Sequence, residues 1–110
     1  MTYKYAQAFP TAALGAGNVT VYTAPTSVSV SLIRSAKVHN PTAGVISFEI
    51  HIVAPAGSSA STNQVIKRNI GVNETYMCPE LLNTTLIPAN TIVAVGQNLN
   101  FEMSVAEVVQ

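Results

Sequence analysis

Alternation of apolar and polar side chains is the feature that most constrains how this chain folds. The clearest run is residues 45–53, in which four apolar side chains fall on one face: Ile46, Phe48, Ile50 and Ile52. A run near the end of the chain places four more on one face: Leu99, Phe101, Met103 and Val105. Because successive side chains of a β-strand point to opposite faces, this period of two predicts strands that bury one face. We expect these eight side chains in the core.

The rest of the chain has the composition and the turn residues of an all-β protein. Val, Ile and Thr make up 33 of the 110 residues, and these β-branched side chains suit a pleated, half-buried surface. Clusters of Gly, Pro and Asn interrupt the runs at intervals of roughly ten residues, and no stretch has an apolar stripe at helical spacing. Short strands at this spacing predict a single β-sandwich or jelly-roll-like domain over residues 18–110.

One strand in the first half of this domain has an irregularity. Val28, Val30 and Leu32 share a face opposite three serines, and Ile33 then breaks the alternation. An extra residue in one strand of a pair produces this kind of break. The pattern therefore predicts a β-bulge or a change of sheet near residues 33–35.

Residues 1–17 are interpreted as an extended N-terminal arm, because small residues and two glycines give no reason for a regular element. Three aromatic side chains lie within its first nine residues: Tyr3, Tyr5 and Phe9. A free tail would leave these rings in water, although each can bury a large apolar area. The arm either lies across a neighbouring subunit, with these three residues at the interface, or packs along its own sandwich.

Charged residues are scarce: five Lys and Arg and five Glu make up 9% of the chain, and the formal net charge is zero. A soluble domain ordinarily carries about 25% charged residues. A protein with so few cations cannot neutralise a run of phosphates, which argues against nucleic acid as a partner. Charged residues are depleted at the centres of protein interfaces, so we interpret the neutral surface as one that is largely buried against other subunits.

The sequence predicts no catalytic residue, no metal-binding residue and no cofactor. The chain has no Asp for a Ser-His-Asp triad, and the strand carboxylates Glu49 and Glu102 are interpreted as ordinary solvated side chains. His51 lies on the polar face of the clearest strand, which predicts an exposed surface histidine. The less favoured possibility for His51 is a metal site shared by three copies across a symmetry axis.

Three further features of the sequence bear on the cellular compartment in which the protein is made. The N-terminal residues lack the charged head and apolar stretch of a secretory signal, and no apolar run approaches the roughly 20 residues of a membrane-spanning helix. The lone Cys78 forbids an internal disulfide, which agrees with a reducing compartment. We therefore expect a protein made in the cytoplasm, with no membrane partner.

The alternating strand at residues 45–53 and four further segments together resemble small virion proteins of tailed bacteriophages. Val-Tyr-Thr-Ala-Pro at residues 21–25 leads into a long strand that closes on Val-His-Asn at residues 38–40. Leu-Ile-Pro-Ala-Asn-Thr-Ile at residues 86–92 stands where Leu-x-x-Gly-Asp-x-Ile is usual in those proteins, with Ala-Asn in place of Gly-Asp. A closing strand that contains Glu, residues 103–108, completes the pattern.

This resemblance implies a capsid decoration (cement) protein, a small sandwich that is most often a homotrimer. Such a protein clamps neighbouring major capsid protein subunits at the surface of the virion. The same resemblance extends to tail, baseplate and fibre-associated components. A carbohydrate- or host-surface-binding sandwich is the alternative of another class, for which Tyr22 and Tyr76 are the available strand aromatics. None of these expectations involves enzymatic activity.

Overall fold

Two antiparallel β-sheets pack face to face in the computed structural model of the chain, which describes residues 2–28 and 30–109. The strands of this part of the chain are β1 Thr2–Ala13, β2 Asn18–Thr23, β3 Val30–His39, β4 Ile46–Val53, β5 Gln64–Ile70, β6 Thr75–Tyr76, β7 Thr85–Leu86, β8 Thr91–Val95 and β9 Asn100–Val109. Two short 3₁₀ turns accompany them: Ser61–Asn63 and Pro79–Leu81. The prediction of an all-β sandwich is confirmed.

The order of the strands is that of a jelly roll. Sheet A runs β1-β9-β3-β6, with the short β7 also paired to β3, and sheet B runs β2-β8-β4-β5. If β6 and β7 are counted as one interrupted strand, the described chain has the eight strands of this architecture. Strands β1 and β9 lie side by side, so residues far apart in sequence build one surface of sheet A.

The core lies between the sheets and is built from the alternating residues. Phe48 and Ile50 on β4 are fully buried, and so are the four predicted core residues of the final run. Ile46 and Ile52 are partly buried and pack against the same cluster. The ring centroids of Phe48 and Phe101 are 6.0 Å apart, so an aromatic pair joins the two sheets.

Strand β1 occupies Thr2–Ala13, where the sequence predicted no regular element. It pairs with β9 along its length, with register shifts between Gln7 and Phe9 and between Phe9 and Ala12. Each shift changes which side chains share a face, which explains why the alternation of β1 is hard to recognise in the sequence. The N-terminal segment packs along its own sandwich, which is the second of the two arrangements considered for it.

In β3 the bulge falls where the broken alternation predicted it, directly after Ile33. The face that points into the core carries Ser31 and Ile33, both fully buried, while Val30 and Leu32 are half-buried on the outer face. Ser31 is tolerated in the interior because its Oγ lies 2.8 Å from the Tyr22 hydroxyl, and a buried polar group needs such a partner. Apolar side chains of β3 are thereby placed on an outer surface.

The turn before β8 is strained at Ala89. This residue has a φ of 69°, in the left-handed region that favours glycine, and its N–H donates to the Ala24 carbonyl oxygen at 2.9 Å. The Ala24 N–H donates in turn to the Asn90 carbonyl oxygen at 2.8 Å, which holds the turn against the end of β2. A glycine fits this backbone without strain, because it has no Cβ atom to clash in the left-handed region.

Ala89→Gly is expected to stabilise the protein by about 0.5–1 kcal/mol, because relief of the left-handed strain outweighs the entropy that a glycine loses on folding. Urea unfolding followed by circular dichroism measures the free energy of unfolding. Ala54→Gly is the matched control, since Ala54 is exposed and has a negative φ, and it should be neutral or slightly destabilising. A less stable Ala89→Gly variant would contradict the left-handed conformation.

Candidate interaction surface

The outer face of sheet A carries an apolar patch at the end where β1 begins. Strand register places six residues in two rows across three strands, Tyr3, Val108 and Val30 in one row and Tyr5, Ala106 and Leu32 in the next. The two tyrosines are 54% and 63% exposed, whereas the two β9 residues are buried between β1 and β3. We call these six residues, together with Arg34, the tyrosine patch.

Arg34 lies against this patch and orients one of its rings. Its guanidinium carbon is 4.5 Å from the centroid of the Tyr5 ring, which is a cation–π arrangement. Within residues 2–28 and 30–109, no carboxylate oxygen lies within 4 Å of the Arg34 guanidinium nitrogens. Tyrosine and arginine are among the residue types that most often dominate the binding energy of protein interfaces. The patch therefore has the composition of an interface centre.

The other half of the same face is polar and is organised by Glu102. Its Oε2 accepts hydrogen bonds from Thr11 Oγ1 at 2.8 Å and from Gln7 Nε2 at 3.3 Å. Lys37 Nζ lies 3.5 Å from its Oε1. The hydrogen bond from Thr11 is the main cause that lowers the pKa of the Glu102 carboxyl below its usual value. Glu102 is therefore an ionised, well-positioned acceptor at neutral pH.

A groove of about 250 Å³ opens beside Glu102. The residues that line it are Thr11, Lys37, His39, Thr75, Asn100, Phe101 and Glu102. On one side of the groove, His39 Nδ1 and Thr75 Oγ1 are 2.7 Å apart. Donor and acceptor groups around a small concavity suit a polar ligand that carries several hydroxyls.

The structure brings together two of the three predicted interface residues. Tyr3 and Tyr5 lie two positions apart on β1 and share the outer face of sheet A. Phe9 points to the other face, where its ring centroid is 5.8 Å from that of Phe101, so it contacts its own core. Sequence reasoning missed Arg34. The predicted bulge in β3 was a usable signal for it, because a bulge redirects the side chains beside it.

His51 lies on the outer face of sheet B, but it is only 5% exposed, so the prediction of an exposed histidine is wrong. Its Nε2 is 3.0 Å from Glu49 Oε1. Its Nδ1 is 3.0 Å from the Ala60 carbonyl oxygen and 2.9 Å from Asn63 Oδ1, both in the loop between β4 and β5. Both ring nitrogens are therefore engaged by this chain's own residues, and the ring is covered rather than presented at the surface.

Burial also changes the acidity of two further side chains, the thiol of Cys78 and the hydroxyl of Tyr22. Burial raises the pKa of the Cys78 thiol to about 12. Burial is also the main cause that raises the pKa of Tyr22 to about 12, and the Tyr22 hydroxyl donates to Glu107 Oε2 at 2.7 Å between the sheets. Since the thiolate is the nucleophilic form of cysteine, Cys78 is not an activated nucleophile near neutral pH.

Among the described residues, no three His, Cys, Asp or Glu side chains come together as a metal-binding group. No helix in this part of the chain is long and apolar enough to cross a membrane. Comparisons with protein-family models, with curated proteins and with solved structures found no match for this chain.

Proposed function

We propose that this protein is a capsid decoration (cement) protein of a tailed bacteriophage, which binds neighbouring major capsid subunits through the tyrosine patch. The observation that carries the proposal is the patch itself, with two exposed tyrosines and an arginine stacked on one of them, on a domain that is poor in charge. Jelly rolls recur in viral capsid proteins, which supports a structural role by analogy of fold. The resemblance of five segments to phage virion proteins supports the same role.

The patch is suited to bind a partner without long-range charge. A tyrosine side chain buries about 150–250 Å², and apolar burial is worth about 25 cal/mol per Å². More than half of the surface of Tyr3 and Tyr5 is still exposed, so much of this area is available to a partner. Arg34 adds a directional contact for a carboxylate of the capsid subunit. A homotrimer that engages several subunits at once would convert weak single contacts into firm attachment, because the later contacts form at a high effective concentration.

The double variant Tyr3→Ser/Tyr5→Ser is expected to bind phage heads at least about 30-fold more weakly, because a tyrosine at an interface centre is worth about 2 kcal/mol or more. The probe is the particle of the phage that encodes this chain, prepared from a mutant that lacks the gene. Co-sedimentation of purified protein with these particles, over a range of protein concentrations, measures the affinity. Both tyrosines are exposed, so the variant should retain the fold.

Val45→Ser/Val72→Ser is the matched control, because these two side chains are 63% and 50% exposed and lie outside the tyrosine patch. The control should bind like the wild type. Equal binding by the wild type and the tyrosine double variant would overturn the assignment of the patch. Failure of the wild type to bind heads at all would overturn the proposed function.

Attachment should survive near-molar salt, because burial of aromatic rings carries most of the affinity and salt screens only the charged contacts. The same sedimentation experiment is repeated from low salt up to about 1 M NaCl. Release of the protein at high salt would show that charge dominates the interface, which is contrary to this proposal.

The mass of the protein in solution tests the proposed homotrimer, and its position on the phage particle tests the proposed location on the head. A solution mass near three times 11.6 kDa supports a preassembled homotrimer, whereas a mass of 11.6 kDa would mean that single copies bind. Cryo-electron microscopy of the virion should show the protein over the head lattice. Density confined to the tail, baseplate or fibres would replace the decoration role with that of a tail component.

Carbohydrate binding is the second candidate function, and the groove beside Glu102 is the observation that favours it. Carboxylate, amide, imidazole and hydroxyl groups line this groove, and such groups recognise sugar hydroxyls. A glycan array probed with the purified protein should then show hits that Glu102→Gln and Asn100→Ala abolish. An array without hits removes this candidate and leaves the capsid proposal unaffected.

A further inference from the structure

Part of the outer face of sheet B lies under the loop that joins β4 to β5, residues 54–63. Val93 pairs with His51, and Val53 lies two positions along β4 from His51, so both valines occupy outward positions. Outward positions of a sandwich are ordinarily solvated, yet Val53 and Val93 are only 2% and 7% exposed. We call this loop the 54–63 loop and the two valines the apolar strip.

The 54–63 loop contacts Val53 and reaches across to the far strand of the sheet. A Cβ atom placed on Gly57 would be 3.3 Å from Val53 Cγ1, so the loop backbone is in contact with this valine. At the other side of the sheet, Asn18 Nδ2 on β2 donates to Ser59 Oγ at 2.8 Å. The loop is therefore held against the sheet on β4, through Val53, and on β2, through Asn18.

His51 contacts the end of the 54–63 loop that leads into β5. The hydrogen-bond partners of the ring define which of its nitrogens carry a hydrogen. Asn63 Oδ1 accepts the Ala60 N–H at 3.0 Å, and Asn63 Nδ2 donates to the Ser58 carbonyl oxygen at 2.9 Å, so the amide oxygen faces the ring. The Ala60 carbonyl oxygen is a second acceptor beside the same Nδ1, which must therefore carry a hydrogen. Nε2 faces the Glu49 carboxylate and is also placed to donate.

We propose that the 54–63 loop is a pH-sensitive latch, which is closed over the apolar strip while both ring nitrogens of His51 carry a hydrogen. The charged ring then donates to the loop on one side and to Glu49 on the other. Loss of the Nε2 hydrogen turns a lone pair toward the Glu49 carboxylate. It also converts the loop contacts from charge-assisted to neutral hydrogen bonds, which are about half as strong. The loop then opens more often and exposes the strip.

The charged groups around His51 are few. On its own strand, Glu49 faces the ring. On β5, Gln64 Nε2 donates to Glu49 Oε1 at 2.9 Å, and Lys67 pairs with Glu49 in register. The 54–63 loop has no ionisable side chain, and the outward positions of β8 and β2 have none either. Among the described residues, the charged neighbours of His51 on this face are therefore Glu49, which contacts the ring, and Lys67, which lies beside Glu49.

The direction of the pH dependence follows from these contacts. Burial alone lowers the pKa of His51, but hydrogen bonds from the ring to Asn63, Glu49 and Ala60 outweigh it and raise the pKa above its ordinary value. A pKa that is higher in the folded than in the unfolded state contributes stability that is complete below the ordinary histidine value. That contribution is lost as the pH rises through the folded-state pKa. The latch is therefore tight at acid pH and loosens on the alkaline side.

Amide hydrogen exchange by NMR tests the latch on the intact protein. The Ala60 amide, which donates to Asn63 Oδ1, reports the opening of the loop. Its protection factor, which corrects for the intrinsic pH dependence of exchange, is expected to fall about tenfold between about pH 5 and about pH 9. The Asn98 amide, which donates to the Leu14 carbonyl oxygen at 2.9 Å, should keep its protection. Constant protection of Ala60 would overturn the proposal.

The two histidines of the chain provide a matched pair of variants. His51→Gln removes the charge, so Ala60 should exchange rapidly at every pH in this range. His39→Gln is the control, because His39 contacts Thr75 outside the loop, and this variant should follow the wild type. A His51→Gln variant that retains the pH dependence, or a His39→Gln variant that loses it, would contradict the assignment to His51.

A measurement on the wild type keeps the proposal testable if His51→Gln does not fold. Long-range ¹H–¹⁵N spectra of the imidazole rings report the titration and the tautomer of each histidine. His51 should titrate above the ordinary histidine value, and its neutral form should keep the hydrogen on Nδ1, where two acceptors hold it. Titration below the ordinary value, or loss of the Nδ1 hydrogen first, would overturn the latch.

Discussion

Phe101→Ala is expected to lower the free energy of unfolding by about 3–5 kcal/mol. The Phe101 ring is fully buried on β9, and its centroid lies 5.8 Å from the Phe9 ring of β1 and 6.0 Å from the Phe48 ring of β4. Truncation therefore opens a cavity where both sheets meet, and paired strands cannot close it without disturbing their ladders. Because small domains are stable by only about 5–15 kcal/mol, this is a large fraction of the total.

Urea unfolding followed by circular dichroism measures this loss. Tyr5→Ala is the control on the opposite face of the same sheet, because Tyr5 is 63% exposed and its main contact is Arg34. The control should cost less than about 1 kcal/mol. Equal losses for the two variants would show that the ring of Phe101 is not at the centre of the core.

Tyr22→Phe is expected to destabilise the protein by about 2–3 kcal/mol, because it removes a hydrogen bond to a buried carboxylate. The Tyr22 hydroxyl lies 2.7 Å from Glu107 Oε2 and 2.8 Å from Ser31 Oγ. A phenol has a single hydrogen, so it donates to the carboxylate while Ser31 donates to the phenol oxygen. Glu107 is 8% exposed and Ser31 is fully buried, so water does not readily replace the lost hydroxyl.

Two further variants separate the contributions within this cluster. Ser31→Ala leaves the bond between Tyr22 and Glu107 intact and should cost only about 1 kcal/mol. Glu107→Gln in the Tyr22→Phe background should recover part of the loss, since a neutral amide is less costly to bury than a carboxylate. Thermal and urea unfolding of the four proteins provide the comparison. A smaller loss for Tyr22→Phe than for Ser31→Ala would mean that the carboxylate is solvated.

Alternation of apolar and polar side chains was sufficient to predict a strand wherever the buried face of that strand is continuous. In β4 and β9 it predicted both the strand and its buried face, and Phe48, Ile50 and Phe101 confirm the prediction. The broken alternation at Ile33 likewise predicted the bulge of β3. These features are readable because successive side chains of a strand point to opposite faces whatever the strand pairs with.

Sequence reasoning was wrong where a distant segment decides the surroundings of a residue. Thr2–Ala13 is a strand because β9 offers it a free edge, although its own composition is unremarkable for a strand. His51 is buried because Ala60 and Asn63, nine and twelve residues further on, fold back over its ring. The inward position of Ser31 depends on Tyr22, which arrives from the other sheet. None of these contacts produces a periodic pattern of residue types in the sequence.

Part of the tyrosine patch was predictable from the sequence. Tyr3 and Tyr5 stood out as aromatic side chains in a segment with little else to bury, and the structure exposes both on one face. Arg34 and the aliphatic rows of the tyrosine patch were not identified, because they come from β3 and β9 and meet β1 only through strand pairing.

The sequence by itself determined that most of this chain folds into short β-strands separated by turns, because alternation and turn chemistry depend on near neighbours. Only the tertiary structure decided that Tyr3 and Tyr5 face outward beside Arg34 while Phe9 points into the core. The face that each side chain takes depends on the register of β1 against β9, including its two shifts. That register is decided by contacts between opposite ends of the sequence, which no local pattern records.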